Sequence, residues 1–298
     1  MRLNKNFSKL LQLILVGIGF ISSAALATEK QPITIGLLPG GDPVAVVQQS
    51  TLFAEKLQAK LGQPIQIFIS KNYQGLIDAV KSEKVDFAFL SSLTYVLAEK
   101  QTPVKVLLKK TWDGPFYFSA LIVRADSKLK KVKDLKGKKI LFVDEKSTSG
   151  YLYPQVFLRK NKMKDADFES IRFSGNHAAS VEALENKKAD VIAVFGDDDK
   201  GQQGAWTRFA KKKSVKYRVL WISDPIPSDP FVVRQAFYDH DPKLTHEIMY
   251  QMIEIQNESA PKSLLHEVLG HGELMPATQK QYDPVREMAA AFEIKEKL

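Results

Sequence analysis

The stretch Ile140–Tyr151, which reads ILFVDEKSTSGY, decides the fold of this 298-residue chain. Its first four residues are apolar and predict a buried strand, and an amphipathic pattern predicts a helix that continues to about Arg159. Ser147, Thr148 and Ser149 lie between the two. Backbone N–H groups at the start of a helix lack partners within it, and the helix dipole adds positive charge there. The stretch therefore predicts a site that binds an anion.

The three hydroxyls of this turn have two alternative roles. Serine and threonine residues before a helix most often cap it by accepting a backbone N–H. A capping box needs Glu or Gln three residues after the cap, and Gly150 stands there instead. We therefore expect that ordinary capping does not use up the hydroxyls and leaves them as donors to a bound anion. The capping role stays open as the alternative.

The alternation of strand and helix extends outward on both sides of this stretch. Helices alternate with predicted strands at residues 33–38, 65–69, 85–90, 119–123, 170–173, 191–194 and 217–222. Such alternation predicts an α/β fold with parallel strands, in which ligands bind beyond the carboxyl ends of the strands. The residues that follow those ends are candidates to line a cleft, namely Gly40, Gly41, Tyr73, Ser91 and Ser92.

Two segments interrupt the alternation and predict a division into two lobes. We interpret the polar, basic run Asp126–Leu135 as the first crossing and the proline-rich run Asp224–Pro230 as the return. Lobe 1 is then residues 28–124 and 230–298, and lobe 2 is residues 125–229. Two α/β lobes joined by two crossings form a hinged clamp around a central cleft.

Residues 1–27 have the pattern of a secretory signal. Three basic residues precede the apolar stretch Leu10–Ile21, and Ala25-Leu26-Ala27 is an A-x-A cleavage pattern. We expect cleavage after Ala27 and export to the periplasm. An uncleaved anchor helix is the alternative, but the apolar stretch is short for a bilayer. The chain has no cysteine, which excludes disulfides, thiolate metal sites and a lipidated cysteine.

The charge pattern argues against a nucleic-acid partner. The net charge is +9, and the signal carries three of those charges. The lysine-rich runs at 128–139 and 211–213 are not interleaved with aromatic residues, as a nucleic-acid groove would be. With 44% apolar and 26% charged residues, the composition is that of a globular protein. We interpret the lysines as solvated faces and expect no nucleic-acid binding.

Patterns for metals, cofactors and catalysis fail on spacing. His266 and His271 in HEVLGH are five residues apart, so on a helix they lie about 140° apart and cannot share a metal. The Gly40-Gly41 pair does not match a nucleotide-binding loop, and G-x-S-x-G is absent from the chain. We expect no metal, no cofactor and no enzymatic activity. An enzyme that uses His177 as a base remains an alternative, although no paired nucleophile supports it.

Several segments, taken in order, resemble the phosphonate/phosphite/phosphate substrate-binding proteins that serve ABC importers. The resemblance covers most of residues 32–235. Its most specific part is STSG at 147–150 followed by GNH at 175–177. The other segments that carry it are NYQG at 72–75, VDFA at 85–88, FYFS at 116–119 and IPSDP at 226–230. The resemblance implies a two-lobed class II periplasmic binding protein fold with the ligand in the central cleft.

The resemblance also implies roles for individual residues. Ser147, Thr148 and Ser149 would hold the phosphonyl oxygens at the start of a helix, and His177 would add a donor. Tyr73 and Tyr117 would be cleft walls and donors, and Asp229 would face the protonated or amino end of the ligand. Members of the family that bind aminoalkylphosphonates look to have a second acid in the loop after the last strand of lobe 2. The loop Phe195–Asp199 contains acids in loose register with it, so amine recognition stays open.

The leading hypothesis is a periplasmic capture protein that delivers a small phosphorus oxyanion to an ABC permease in the inner membrane. The alternative is a sensor component that binds an oxyanion and signals to a membrane histidine kinase. Phosphite, phosphate, methylphosphonate and aminoethylphosphonate are not distinguished by the sequence. A monomer is the expectation that the family resemblance implies.

Overall fold

Two mixed β-sheets with helices packed against them make up the chain in our computed structural model. The structure describes residues 30–38, 43–111, 114–258 and 273–292. Three sequence predictions lie outside the described residues, namely the signal peptide, the Gly40-Gly41 turn and the HEVLGH segment. None of the helices within the described ranges is long and apolar enough to cross a bilayer.

The elements follow the predicted alternation over most of the chain. In chain order the strands are β1 (Ile33–Leu37), β2 (Ile65–Ile69), β3 (Phe87–Phe89), β4 (Val104–Lys110), β5 (Phe116–Arg124), β6 (Lys139–Phe142), β7 (Ser170–Phe173), β8 (Val191–Gly196), β9 (Tyr217–Ile222), β10 (Ile226–Pro227), β11 (Pro230–Arg234) and β12 (Leu274–Pro276). The helices are α1 (Pro43–Leu61), α2 (Tyr73–Lys81), α3 (Ser92–Glu99), α4 (Tyr153–Lys160), α5 (His177–Glu185), α6 (Ala205–Arg208), α7 (Gln235–His240), α8 (Pro242–Asn257) and α9 (Asp283–Ala291). These elements confirm the predicted α/β class.

The first sheet has the strand order β12-β4-β11-β3-β1-β2. Strands β2, β1 and β3 run parallel, with Ile35 opposite both Ile67 and Phe87, so their carboxyl ends share one edge. Strand β11 runs antiparallel between β3 and β4. The rings of Phe87 and Phe231 stack with centroids 5.5 Å apart, and both side chains are fully buried. Apolar, β-branched and aromatic content explains why these segments form interior strands.

The second sheet has the strand order β10-β5-β8-β6-β7, and β9 also pairs with β5. Strands β6, β7 and β8 are parallel to one another. Strand β5 runs antiparallel to β8 and β9, so it lies in the centre of this sheet. Its side chains are buried from Tyr117 to Val123. The carboxyl ends of β6 and β8 therefore share an edge, as those of β1 and β3 do in the first sheet.

The position of β5 corrects the first predicted crossing. The sequence placed residues up to 124 in lobe 1 and the crossing at Asp126–Leu135. That run instead connects β5 to β6 within the second sheet, and it ends in a short 3₁₀ turn at Val132–Leu135. The chain passes between the sheets after Lys110 and before Phe116. A central strand and a strand after a crossing have similar apolar patterns, so composition alone did not separate them.

The two crossings run side by side. Ile226 pairs with Tyr117 at the start of β5, and Pro230 pairs with Lys109 at the end of β4. The chain therefore returns to the first sheet between Pro227 and Pro230. The Tyr282 hydroxyl donates to the carbonyl oxygen of Ser228 at 2.8 Å, which ties the segment before α9 to the return crossing.

Candidate functional site

Helix N-termini from both sheets meet where the parallel strands end. Helix α2 is capped by Asn72, whose side chain accepts the Gly75 N–H at 2.7 Å, and α3 is capped by Ser91. The segment Thr148–Leu152 opens α4 with π-helical hydrogen bonds. The Leu93 N–H of α3 donates to Thr148 Oγ1 at 2.8 Å across the lobes. The predicted anion turn therefore faces the other lobe.

The close approach of strand β6 to the following helix explains why residue 150 is a glycine. A Cβ atom at this position would lie 2.5 Å from Val143 Cγ2 and 2.8 Å from Ser147 Oγ, closer than real side chains come. Only glycine lets the helix begin directly against the end of β6. This contact fixes the direction in which the first turn of the helix points.

The hydroxyl of Ser147 corrects the expectation that capping leaves all three hydroxyls unused. Ser147 Oγ accepts the Gly150 N–H at 3.0 Å, so it is the N-cap residue. Its own hydrogen remains a donor, and its hydroxyl interacts with the Tyr73 phenol. The N–H groups of Thr148 and Ser149 lie in the first turn and have no acceptor within their own helix. Backbone donors and hydroxyls therefore share the site.

Thr148 and Ser149 are buried together with the residues that hold them. Thr148 Oγ1 accepts a hydrogen bond from the Leu93 N–H. The Thr148 hydroxyl also forms a hydrogen bond with the Tyr117 phenol. The Ser149 carbonyl accepts the Ser119 hydroxyl at 2.6 Å. The relative exposure of Thr148 is 0% and that of Ser149 is 3%. The two residues are thus shielded from bulk water. Hydrogen bonds to an anion are stronger in such a low-dielectric environment than in water.

Two tyrosines close the site from different elements. Tyr73 begins α2, which packs with the first sheet, and Tyr117 lies on β5 of the second sheet, and both are buried. Burial raises the pKa of the Tyr73 phenol well above its ordinary value. Burial and the nearby Asp229 charge raise the pKa of Tyr117 as well. Both phenols therefore stay protonated and can donate.

Asp229 places a carboxylate beside these donors. It follows Ser228 in the return crossing, and its Oδ1 atom is shielded from solvent and has no hydrogen-bond partner among the described residues. Burial raises the pKa of this carboxyl to about 6, although Lys110 and Tyr117 oppose the rise. An acceptor oriented among donors suits a ligand with both an anionic oxygen and an O–H.

His177 lies on a neighbouring part of the second sheet. It begins α5 after the Asn176 cap, its Nδ1 accepts the Phe195 N–H at 3.4 Å, and its ring contacts that of Phe195 with centroids 4.9 Å apart. Burial lowers the pKa of this imidazole to about 3, so the neutral ring presents Nε2–H as its donor. No contact in the described part of the chain joins His177 directly to Ser147, Thr148 or Ser149.

The sequence reasoning missed Lys110 and Arg208 near the site, and it named Asp197 only as one of the acids in the loop Phe195–Asp199. Lys110 ends β4 and is buried, with 8% relative exposure. Asp197 follows β8 and pairs with Arg208 at 2.9 Å. The signal for Lys110 was its position at the end of a strand, and Asp197 shared its position after β8 with the acids that follow it. Asp198 instead accepts the backbone N–H groups of Lys200, Gln202 and Gln203 and holds the loop.

The other cleft candidates have structural hydrogen bonds. Ser91 Oγ accepts the Thr94 N–H at 3.2 Å as a helix cap. Ser92 Oγ donates to the carbonyl oxygen of Pro227 in the return crossing. Among the described residues there is no cluster of histidines and acids that could hold a metal ion. The chemistry of the site is therefore that of hydrogen-bond donors around an acceptor.

Comparisons with known proteins identify the family of this chain. A family model described as "ABC transporter, phosphonate, periplasmic substrate-binding protein" matches residues 35–282. The chain is 27% identical to the phosphonates-binding periplasmic protein of Escherichia coli, over 90% of this chain and 79% of that protein. It is 27% identical to the phosphate-import protein PhnD of Mycolicibacterium smegmatis, over 69% and 67% of the two chains.

A solved structure supports the fold. PhnD1 from Prochlorococcus marinus, in complex with methylphosphonate, superimposes with a TM-score of 0.75 at 20% identity, covering 88% of this chain and 98% of that one. The likeness confirms the two-lobed class II periplasmic binding protein fold that the resemblance implied. Proteins of the matched family bind substrates for transporters and are not enzymes. This chain belongs to the family of periplasmic substrate-binding proteins of phosphonate ABC transporters.

Proposed function

We propose that this protein captures a small phosphorus oxyanion, a phosphonate, phosphite or phosphate, between its lobes and delivers it to an ABC permease. The observation that carries the proposal is the buried turn at 147–149, which faces the N-terminus of α3 across the lobes. Names of the relatives, which refer to phosphonate and phosphate, support the same ligand class. None of the comparisons favours a sensor for a histidine kinase.

In this proposal, the first turn of the helix binds the ligand oxygens. The N–H groups of Thr148 and Ser149, the hydroxyls of Ser147 and Ser149 and the phenols of Tyr73 and Tyr117 donate to them. His177 adds its Nε2–H when the ligand is bound. Hydrogen bonds to a charged partner are worth roughly 1.5–3 kcal/mol each, so a few oriented donors hold a dianion without a formal cation.

Asp229 supplies the selectivity for phosphorus. Its shielded Oδ1 atom accepts a hydrogen bond from a P–OH group, which a partly protonated phosphorus acid presents. An alkanesulfonate has a similar tetrahedral shape but carries no proton near neutral pH. Its oxygen would meet the Asp229 carboxylate as a like charge. The site therefore favours phosphorus oxyanions over sulfonates.

A thermal-shift and calorimetry panel tests this function. We expect methylphosphonate, phosphite or phosphate to stabilise the purified mature protein, by about 2.7 kcal/mol at a hundred times the Kd. Methanesulfonate is the matched control and should give no shift. Ser149→Ala should weaken the best ligand while the unliganded protein stays folded. Equal binding of methanesulfonate, or no shift with any phosphorus acid, would contradict the proposal.

Three further expectations accompany the function. Relatives that are periplasmic imply the periplasm for this chain, and cleavage after Ala27 remains a prediction that N-terminal sequencing of the secreted protein tests. A monomer in solution and no binding of nucleic acid are likewise predictions. Light scattering with and without ligand tests whether the protein is a monomer.

A further inference from the structure

The backbone on both sides of Asp229 is held by hydrogen bonds. Ser228 and Asp229 lie between the strands β10 and β11. The Ser228 carbonyl oxygen accepts the Tyr282 hydroxyl at 2.8 Å, and the Asp229 carbonyl oxygen accepts the Lys110 N–H at 3.0 Å. The peptide groups before and after the Asp229 Cα atom are therefore both fixed, one of them by a side chain.

The side chain that holds the first peptide group is itself packed firmly. Tyr282 is fully buried, and its ring meets that of Tyr95 edge-on with centroids 5.0 Å apart. The Tyr95 hydroxyl accepts Arg286 Nη2 at 2.9 Å, and Arg286 Nη2 also lies 2.7 Å from Glu99 Oε2. Burial and the Asp229 charge raise the pKa of the Tyr282 phenol well above its ordinary value. The phenol therefore stays protonated and donates to the crossing.

The Asp229 carboxylate depends on this backbone for its direction. The Tyr117 phenol forms a hydrogen bond with the carboxyl group. The Oδ1 atom is shielded from solvent and has no hydrogen-bond partner among the described residues. A carboxylate with one unpartnered oxygen can turn when its Cα atom moves, so the position of the Cα atom decides where Oδ1 points.

We propose that Tyr282 is a positioning residue that directs the Asp229 carboxylate into the cleft and thereby sets the selectivity of the site. The proposal rests on the proposed function, in which Asp229 accepts a hydrogen bond from a P–OH group and repels a sulfonate oxygen. Tyr282 acts on the ligand only through this carboxylate.

The physical reason is the cost of an unpaired carbonyl in a buried place. Without the Tyr282 hydroxyl, the buried Ser228 carbonyl loses its donor, and the crossing shifts to pair it elsewhere. Asp229 moves with the crossing. A hydrogen bond from P–OH weakens steeply as its geometry changes, and repulsion of a sulfonate falls as the charges separate. Both effects move the selectivity in the same direction.

Tyr282→Phe tests the proposal by calorimetry with methylphosphonate and, in a displacement format, methanesulfonate. We expect the ratio of the two Kd values to move toward methanesulfonate by about threefold or more. Tyr95→Phe is the matched control, because it removes a buried tyrosine hydroxyl from the same core that bonds Arg286 and not the crossing. Thermal unfolding should show lower stability for both variants, and only Tyr282→Phe should change the ratio.

A double-mutant cycle with Asp229→Asn shows whether Tyr282 acts through Asp229. In the Asp229→Asn background, Tyr282→Phe should leave the ratio unchanged, since the charge that it positions is gone. A merely structural role would instead lower the affinity for both ligands by the same factor in either background. That result would overturn the proposal and leave the oxyanion function standing.

Ser92→Ala provides a second variant if Tyr282→Phe does not fold. The Ser92 hydroxyl donates to the Pro227 carbonyl, one residue before Ser228, so its loss should move the ratio in the same direction. An unchanged ratio in the variant that folds would overturn the positioning role. A wild type that binds neither methylphosphonate nor phosphite nor phosphate would overturn the proposed function itself.

Discussion

Burial shifts the pKa values of the polar groups in the cleft in the direction that favours the neutral form of each group. It lowers the pKa of His177 to about 3 and raises that of Asp229 to about 6. Tyr73 and Tyr117 are shifted upward for the same reason. Near neutral pH the imidazole and both phenols are therefore neutral donors. A binding site made of such donors needs no proton transfer when a charged ligand enters.

His177 should make the unliganded protein less stable in acid. Its pKa is about 3 in the folded protein, and the ordinary value is 6.5. Between these values the unfolded chain binds a proton that the folded protein does not, so the free energy of unfolding falls as the pH falls. His177→Gln removes this contribution and keeps an acceptor for the Phe195 N–H.

Urea unfolding of both proteins at about pH 7.5 and about pH 4.5 checks this prediction. The variant should lose less stability between the two pH values than the wild type loses. Equal losses would show that the folded imidazole titrates as it does in the unfolded chain.

Asp229→Asn should reduce discrimination against sulfonates. The amide has no negative charge, so it no longer repels an unprotonated oxygen, and it can donate to that oxygen. We expect the affinity for methanesulfonate to rise by about tenfold or more relative to methylphosphonate. Asp224→Asn is the control, since Asp224 is exposed in the same segment. An unchanged ratio in Asp229→Asn would remove the selective role of this carboxylate.

At the scale of elements, the anion turn depends on how β6 meets the helix that follows it. The Val143 N–H donates to the Gly150 carbonyl at 3.1 Å, and the Leu152 N–H to the Ser147 carbonyl at 3.1 Å. These bonds wind the first turn more widely than an α-helix. Single π-type turns of this kind occur often at functional sites. The N–H groups of Thr148 and Ser149 lie in this wide first turn, where they have no acceptor within their own helix.

Gly150→Ala should damage both stability and binding. The added Cβ would meet Val143 at 2.5 Å, and neither the strand nor the first helical turn can move without the other. Overpacking of this kind typically costs about 1–3 kcal/mol. Thermal unfolding should show the lower stability, and calorimetry should show weaker ligand binding.

Gly75→Ala is the comparison for that experiment. Its Cβ would lie 2.9 Å from Ser70 Oγ and 3.2 Å from Asn72 Oδ1, which are ends of side chains that can rotate. Its loss of stability should be the smaller of the two. A loss equal to or greater than that of Gly150→Ala would contradict the proposed packing constraint at β6.

At the scale of the whole molecule, the lobes contact each other through α3. The Thr94 hydroxyl donates to the Lys146 carbonyl at 3.2 Å, next to the bond between Leu93 and Thr148. These bonds exist only when the lobes are together. In a two-state clamp, any contact present only in the closed state adds to ligand affinity, because the ligand and the contact favour the same conformation.

Thr94→Val should therefore weaken ligand binding without touching the ligand. Valine has nearly the same shape but cannot donate to Lys146, and a neutral hydrogen bond is worth roughly 0.5–1.5 kcal/mol, or about twofold to tenfold in Kd. Small-angle scattering of the unliganded variant should show a larger radius of gyration. Thr94→Ser keeps the hydroxyl and should resemble the wild type. Unchanged Kd and scattering in Thr94→Val would rule out this closing contact.

Local patterns predicted much of this architecture. The turn Ser147–Ser149, the strand before it and the helix start of His177 were correct because turn chemistry and residue periodicity act over a few neighbours. The assignment of β5 to lobe 1 was wrong, because pairing with β8 and β9 involves residues 68 to 102 positions away. The role of Ser147 as a cap was missed, because Gly150 can donate its backbone N–H although it has no side chain to complete a capping box.

The sequence by itself determined the α/β class, the polar turn that begins a helix at 147–149 and the order of motifs that marks the family, since each depends on residues adjacent in the chain. Only the tertiary structure decided which charges meet. Lys110, Asp197, Arg208 and Asp229 come from four separate segments, and a lysine or aspartate at a strand end is ordinarily solvated. Lys110 and Asp197 are nevertheless buried, and Asp197 pairs with Arg208, because desolvation and Coulomb energy depend on distance in space and not along the chain.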